Sequence, residues 1–173
     1  MRSLGAALRT GTEFLAAAGL KRPRHEAALL LAGAAGRSKE ELYGRPEAAL
    51  PVEAALLYEE MLRRRASGVP VAYLLGHKEF YGRLFLTDPR ALIPRPETEL
   101  LVESALALAR QLASEGRRDE ALRIHDCCTG TGCVAVTIAA ELKAAVEAAQ
   151  YEVSASDISE QALELAAENR DRL

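Results

Sequence analysis

The sequence has no long apolar run and few cysteines, and each shortage argues against a class of protein. No stretch of 18 consecutive apolar residues occurs and the N-terminus lacks an apolar signal-peptide core, so we expect a cytoplasmic protein without direct membrane contact. The three cysteines are clustered at positions 127, 128 and 133, which is no framework for disulfides. Cys127 and Cys128 would point opposite ways on a strand and no second ligand pair follows, so we expect no metal site.

Strong positive charge is also missing. The net charge is −3, with eleven Lys and Arg against eight Asp and Glu in residues 1–66 and eleven against seventeen in the remainder. The weak basic character, confined to the first part of the chain, and the lack of an Arg/Lys-aromatic surface argue against direct contact with nucleic acid. The slightly basic first part could meet an acidic or RNA-bound partner, although a difference this small is more often a solvated surface.

Helix start and stop signals recur in residues 1–66 and predict a small helical bundle. Ser3 can cap a first helix that stops at Gly19, and Pro23 can begin a second that ends at Gly36. Pro51 can begin a third long helix. The apolar positions expected to face the core are Leu4, Ala7, Leu8, Phe14, Leu15, Ala27, Leu30, Leu31, Ala34, Leu56, Leu57, Met61 and Leu62.

After Ser67 the pattern changes to short apolar runs separated by Gly and Pro, which predicts a β-hairpin linker. Pro94 and Pro96 then impose an extended entry to an amphipathic helix that ends near Ser114. The guanidinium of Arg95, between two prolines, has little freedom and invites a carboxylate partner. The apolar positions expected on this helix are Leu100, Leu101, Leu106 and Leu108.

Residues 121–157 predict a strand, a glycine loop, a helix and a second strand. A half-apolar run at 122–125 leads through Asp126 into the loop, and residues 134–149 continue as an apolar helix without Pro or Gly. A second strand over 151–156 ends on Asp157. This order is typical of a nucleotide-type cofactor site at the carboxyl ends of parallel strands, where glycines and the first helical N–H groups face the ligand.

Two cofactor classes use such a loop. Residues 130–135 satisfy G-x-G-x-x-A, the dinucleotide fingerprint, which is a weak signal by itself. Asp126 would repel a pyrophosphate but attract a cation, and the 25-residue gap from Gly132 to Asp157 exceeds the usual spacing of about 20. S-adenosylmethionine, with its ammonium, sulfonium and ribose diol, suits the two acids better. A nicotinamide dehydrogenase and a plain helix-start role for Asp126 remain as alternatives.

Five motifs occur in order at fitting spacing. They are Gly-x-Pro-x-Ala-Tyr at 68–73, Glu-Phe-Tyr-Gly at 79–82, Leu-Ile-Pro-Arg-Pro-Glu-Thr-Glu at 92–99, Thr-Gly-Thr-Gly-Cys at 129–133 and Asp-Ile-Ser at 157–159. On these motifs the chain strongly resembles, over its whole length, the release-factor glutamine N5-methyltransferases, known as the HemK or PrmC family.

The resemblance implies an α/β protein in three parts. These are a small helical bundle that recognises the release factor (1–66), a β-hairpin linker (67–95) and the first half of a Rossmann-like methyltransferase domain with an incomplete sheet (96–173). It also implies a cofactor site. Cys128, Thr129, Gly130, Thr131 and Gly132 would cradle the methionine part of S-adenosylmethionine, Asp157 would hold the ribose hydroxyls, and Asp126, Arg95, Glu97 and Thr98 would lie near the cofactor. Many members have Gly at the position of Cys128, so we expect a slightly stiffer loop.

The family's acceptor loop, Asn-Pro-Pro-Tyr, is absent. Its Asn oxygen and the next carbonyl would accept the two N–H bonds of the substrate amide and aim its nitrogen at the methyl group. The single asparagine, Asn169, is not followed by proline. Only two strands fit after Ala121, whereas a doubly wound sheet has about five or more. We therefore expect the N-terminal part of a longer enzyme, with no catalytic residue of its own and little or no activity alone.

The expected parent activity is methyl transfer from S-adenosylmethionine to a glutamine side-chain amide of a peptide-chain release factor. The release factor is thus the expected partner, and a ribosome-associated substrate is possible. Two alternatives stay open. One is a non-catalytic module that docks on a release factor, and the other is an amino-methyltransferase of nucleic acid.

Overall fold

The computed structural model describes residues 2–114, 121–145 and 151–173, and in these ranges the chain forms eight α-helices and four β-strands. They group into two compact units, Met1–Leu75 and Gly76–Leu173. The first is helical and the second carries all four described strands. The mixed α/β class predicted from the sequence is confirmed.

The helices of the first unit begin and end at, or within two residues of, the positions that the sequence marks. Pro51, predicted as a first helical residue, instead caps the helix that begins at Val52, and the first helix ends at Ala17, two residues before Gly19. The Ser3 hydroxyl accepts a hydrogen bond from the amide of Ala6, Pro23 is the first residue of a helix, and Gly36 ends that helix in the left-handed conformation. Ser38 and Glu41 form a reciprocal capping box. The helices are α1 Leu4–Ala17, α2 Pro23–Ala35, α3 Lys39–Gly44, α4 Val52–Ala66 and α5 Val71–Leu75.

Most of the expected apolar positions form the core of this unit, with three exceptions. Phe14, Leu56 and Leu57 are 43%, 63% and 46% exposed. On α4 the buried face runs instead through Ala54, Tyr58, Met61 and Leu62. At 100° per residue, Leu56 lies on the opposite side of that helix and Leu57 lies at the edge of the buried face. The prediction did not include Ala54 and Tyr58, which belong to the buried face of α4.

Residues 71–75 differ from the hairpin prediction, because they form the helix α5 directly after Pro70 and bury Leu74 in the first unit. The hairpin itself is confirmed over a shorter range. Strands β1 (His77–Phe80) and β2 (Arg83–Leu86) pair antiparallel through a two-residue turn, with φ of 52° at Tyr81 and 72° at Gly82. Left-handed backbone at both central residues matches the twist of hairpin strands.

The strand–loop–helix–strand order predicted for 121–157 is confirmed. Strand β3 (Leu122–Cys127) and strand β4 (Tyr151–Ser156) pair in parallel, with Leu122 opposite Tyr151 and Cys127 opposite Ser156. Helix α7 (Cys133–Ala145) connects them, and the last positions predicted for this helix, 146–149, lie outside the described residues. Helix α8 (Glu160–Arg172) follows β4. Among the described strands, β3 and β4 have no other pairing partner.

The core of the second unit lies between the hairpin, α6 (Glu99–Ser114) and α7. A short 3-10 turn, Pro96–Thr98, precedes α6 and places proline at the predicted helix start. On α6 the buried positions are Val102, Leu106 and Ala109, whereas Leu100, Leu101 and Leu108 are more than half exposed. The predicted stripe of leucines is therefore wrong except at Leu106. The size of an apolar side chain does not determine which face of a helix is buried.

In the ranges that the structure describes, no helix has the length and apolar character needed to span a membrane.

Candidate cofactor-binding site

The glycine loop turns the chain from β3 into α7 through three residues with left-handed backbone. Cys128, Gly130 and Gly132 have φ of 61°, 57° and 78°. This conformation is open to glycine and costs other residues about 1–2 kcal/mol. The bend at Cys128 explains why glycine suits this position, and it gives a physical reason for the expected stiffness of the loop.

The loop and the carboxylate at the end of β4 are in direct contact. The amide of Thr129 donates to the carbonyl of Ser156 over 3.0 Å, and the amide of Gly130 donates to Oδ2 of Asp157 over 2.9 Å. The parallel pairing of β3 and β4 brings their carboxyl ends to one edge of the sheet. The structure therefore places Gly130 of the glycine bend and Asp157, which are 27 residues apart, side by side.

Backbone amides stabilise the ionised form of the Asp157 carboxylate. The amide of Ser159 donates to Oδ1 over 3.0 Å. Hydrogen bonds from the amides of Ser159 and Gly130 lower the pKa of the Asp157 carboxyl below its ordinary value. Each carboxylate oxygen has about two acceptor sites and uses one here, so both oxygens can still accept a hydroxyl donor. An ionised, oriented acceptor pair suits a vicinal diol.

Asp126 supports the start of α7. Its Oδ2 accepts hydrogen bonds from the Thr129 hydroxyl over 2.6 Å and from the amide of Ala135 over 3.3 Å. The helix-start role considered for this residue is therefore real. Its Oδ1 has no hydrogen-bond partner among the described residues, so the same carboxylate can also face a cationic group.

The three cysteines have different environments. Cys127 and Cys128 are exposed, whereas Cys133 is buried at the start of α7 and burial raises the pKa of its thiol. In the described ranges no group of three or more His, Cys, Asp and Glu side chains could hold a metal ion.

The segment that leads to α6 enters beside the loop. A Cβ built on Gly130 would lie 4.0 Å from the Cβ of Ala91. Farther along, Arg95 and Glu97 are exposed and Thr98 is half-buried. No side-chain hydrogen bond or ion pair joins these three residues to other described residues, so Arg95 lacks the expected carboxylate partner there. Their place beside the cofactor stays a prediction.

Asn169 is the residue that sequence reasoning missed, since it was considered only as a possible acceptor residue. It is fully buried on α8, and its side-chain amide binds Thr131 of the loop and Leu86 of the hairpin. The available signal was its position on the buried face of α8, four residues after Leu165 and seven after Ala162. A polar residue in such a stripe needs buried partners.

A depression lies on the face of the sheet that α7 and α8 cover. It has a volume of about 290 Å³ and is lined between α7, β4 and α8 by residues that include Gly132, Val153, Ala166 and Arg170. Asp126 and Asp157 do not line it. It shares Gly132 with the glycine loop but does not include the two carboxylates.

The chain is similar in sequence to proteins of known name. The model of the PrmC N-terminal domain family matches residues 6–76. A release factor glutamine methyltransferase of Koribacter versatilis is 39% identical over 171 residues, which are 99% of this chain and 56% of that protein. One of Neisseria gonorrhoeae is 43% identical over 149 residues, 86% of this chain and 49% of that protein.

A release factor glutamine methyltransferase of Moorella thermoacetica is 39% identical over 174 residues, which are 99% of this chain and 55% of that protein. The chain spans about half the length of the curated relatives it matches. By sequence, the chain is similar to release factor glutamine methyltransferases over nearly its whole length, and its residues 6–76 match the PrmC N-terminal domain family.

Proposed function

We propose that this chain is the cofactor-holding part of an enzyme that methylates a glutamine side-chain amide of a peptide-chain release factor. The observation that supports this most strongly is the hydrogen bond between the Gly130 amide and Asp157, which unites the loop and the acid in one site. The names of the relatives support the reaction class. As the substrate acts in translation, we also propose a cytoplasmic location.

We propose S-adenosylmethionine as the methyl donor, whose sulfonium supplies an electrophilic methyl group. Asp157 would accept the ribose hydroxyls through its remaining acceptor sites, and Oδ1 of Asp126 would face the ammonium. The loop from Cys128 to Gly132 would lie along the methionine part. Arg95, Glu97 and Thr98 would complete the site from the segment that enters beside Gly130.

A dinucleotide fits this edge less well. A pyrophosphate needs free N–H groups and the positive end of a helix. Here the Gly130 amide is already bonded to Asp157, and the first turn of α7 is bonded to Asp126 through Ala135. A phosphate would therefore compete with two carboxylates for the donors it needs, which favours a cationic cofactor.

We further propose that the helical residues 1–66 dock on the release factor, that residues 67–95 link the parts, and that residues 96–173 hold the cofactor. The 173 residues contain no Asn-Pro-Pro-Tyr segment. Without such acceptors the substrate amide would not be oriented for transfer. The chain alone should therefore bind without turnover.

A methylation assay on a purified release factor tests the proposal. We expect no methyl transfer by the chain alone and transfer to glutamine when the C-terminal half of a relative is added as a separate polypeptide. Turnover by the chain alone would refute the division of roles. Capture of the release factor without cofactor, combined with no binding of S-adenosylhomocysteine, would favour the non-catalytic docking module.

A further inference from the structure

Asn169 connects three separate parts of the second unit through one buried side chain. Its Nδ2 donates to the carbonyl of Thr131 over 2.9 Å and to the carbonyl of Leu86 over 3.1 Å. Its Oδ1 accepts from the amide of Leu86 over 2.7 Å. The side chain is fully buried, and both of its N–H groups are used. The loop, the end of β2 and α8 are therefore joined at one point.

The bond to Thr131 falls where the loop has the most conformational freedom. Thr131 lies between Gly130 and Gly132, and glycine populates left- and right-handed backbone about equally. The peptide unit is planar, so fixing the Thr131 carbonyl also fixes the direction of the Gly132 N–H, which donates to the carbonyl of Thr129 over 2.9 Å. One bond to Asn169 thus sets the central peptide of the bend.

Helix α8 supports the same bend by packing. A Cβ on Gly132 would lie 3.0 Å from the Cβ of Ala166, three residues before Asn169 on α8. Positions three apart lie on one face of a helix, so Ala166 and Asn169 contact the loop together. Ala166 limits how far the loop can move towards α8, and Asn169 determines its rotation.

We propose that Asn169 is a positioning residue that holds the glycine loop in its ligand-binding conformation without contacting the ligand. The identity of the ligand rests on the proposed function, whereas the effect of Asn169 on the loop does not depend on it. The competing explanation is that Asn169 only attaches α8 to the hairpin through Leu86, with the bond to Thr131 having no effect on the loop.

The test compares Asn169→Asp with Glu168→Ala in the full chain. The first variant keeps the shape of the side chain but removes the donors to Thr131 and Leu86. The second removes the neighbouring attachment of α8, in which Arg90 donates to Glu168 over 2.7 Å, and does not touch the loop. Amide hydrogen exchange is measured at Gly132 and, as an internal reference, at Ile124 of β3.

We expect exchange at Gly132 to rise about tenfold or more in Asn169→Asp relative to Ile124, and to stay within about twofold in Glu168→Ala. Equal exchange at Gly132 in the wild type and Asn169→Asp would overturn the proposal. If Asn169→Asp does not fold, the exchange rate of the Asn169 side-chain amide protons in the wild type tests the proposal instead. Slow exchange of its Asn169 side-chain protons is expected, and free exchange would overturn the proposal.

Ligand binding separates this proposal from the proposed function. Calorimetry with S-adenosylhomocysteine should give about tenfold weaker binding for Asn169→Asp than for Glu168→Ala, because a mobile loop has to be ordered on binding. Equal affinities of the two variants would contradict the positioning role. Absence of binding by the wild type would instead contradict the cofactor assignment, while the exchange at Gly132 would still decide the role of Asn169.

Discussion

At the residue scale, the chemistry of the site depends on how Asp157 is held. Amides of Ser159 and Gly130 each occupy one of its oxygens, and they keep its pKa below the ordinary value. The carboxylate is thus charged and oriented before any ligand arrives. Preorganised acceptors bind more tightly because the protein does not have to reorganise.

Replacing Asp157 with Asn should weaken S-adenosylhomocysteine binding by about tenfold or more, because bonds to a charged acceptor are stronger than neutral ones. Asp171→Asn is the matched control, since it removes an exposed aspartate that pairs with its neighbour Arg170. Titration calorimetry measures both. Equal affinities in the two variants would exclude Asp157 from the binding site.

The lowered pKa of Asp157 also predicts a pH dependence of stability. A carboxyl whose pKa is lower in the folded state stabilises the protein above its unfolded pKa, close to 3.8. This contribution disappears as the pH falls through the folded value. Urea unfolding of wild type and Asp157→Asn should therefore differ most above about pH 4 and converge at lower pH. A difference that grows towards acid would contradict the assignment.

Gly11 illustrates close packing in the helical unit. A Cβ there would overlap the hydroxyl of Tyr58, which is itself almost fully buried. Gly11→Ala should lower the free energy of unfolding by about 1–3 kcal/mol, through overpacking. Gly44→Ala is the control, since a Cβ at Gly44 meets nothing within 4 Å. Urea denaturation should find the control neutral or more stable, and equal losses would contradict the packing explanation.

At the element scale, the bend between β3 and α7 combines backbone conformation with close approach to α8. Gly132 and Gly19 have nearly identical φ, 78° and 79°, but only Gly132 has a neighbour, Ala166, against it. Comparison of these two positions separates the effect of backbone conformation from the effect of contact.

Gly19→Ala should destabilise by about 1–2 kcal/mol, the usual cost of left-handed backbone for a residue with a Cβ. Gly132→Ala should cost about 1–3 kcal/mol more, because the Cβ and backbone of Ala166 on α8 cannot move aside easily. Chemical denaturation of both variants gives the difference. Losses of the same size would mean that α8 does not press on the loop.

The sequence could predict elements with strong local signals. The caps at Ser3 and Gly36, the glycine bend and the end of β4 at Asp157 all follow from the chemistry of single residues. The buried faces of α4 and α6 could not be predicted as well, because Tyr58 and Val102 are buried while Leu56 and Leu101 are exposed. Burial is decided by the neighbouring elements, which a helical period does not identify.

Contacts between distant parts of the chain could not be predicted from the sequence either. Nothing local to Asn169 indicates that it binds Thr131 and Leu86, which lie 38 and 83 residues away. The general rule that parallel strands end at one edge of a sheet predicts that the loop and Asp157 lie close together, but it does not predict the bond between Gly130 and Asp157. The partner of Arg95 was expected from its restricted backbone, and the described residues supply none.

At the scale of the whole molecule, each unit has a core of its own. The main core of the first unit draws all its buried members from residues 4–74, and that of the second draws them from residues 80–142. Residues 6–76 also match a domain family by themselves. These observations suggest that the first unit needs no side chain of the second to complete its core.

Residues 1–75 expressed alone should therefore fold. We expect a helical circular dichroism spectrum and a single cooperative thermal transition, since domains of about 60 residues can fold alone when their core is complete. Leu30→Ala in the fragment, at a fully buried position, should abolish or strongly lower that transition. A broad, non-cooperative melt of the unmodified fragment would contradict the separation of the cores.

The glycine loop and Asp157 are proposed to form one site for a sulfonium cofactor. The most direct measurement is a titration of the full chain with S-adenosylhomocysteine, followed by the backbone amide resonances of Gly130, Gly132 and Asp157. We predict that all three shift together with one dissociation constant and that NAD leaves them unchanged. Resonances that respond to NAD instead, or that do not respond to S-adenosylhomocysteine, would contradict the account.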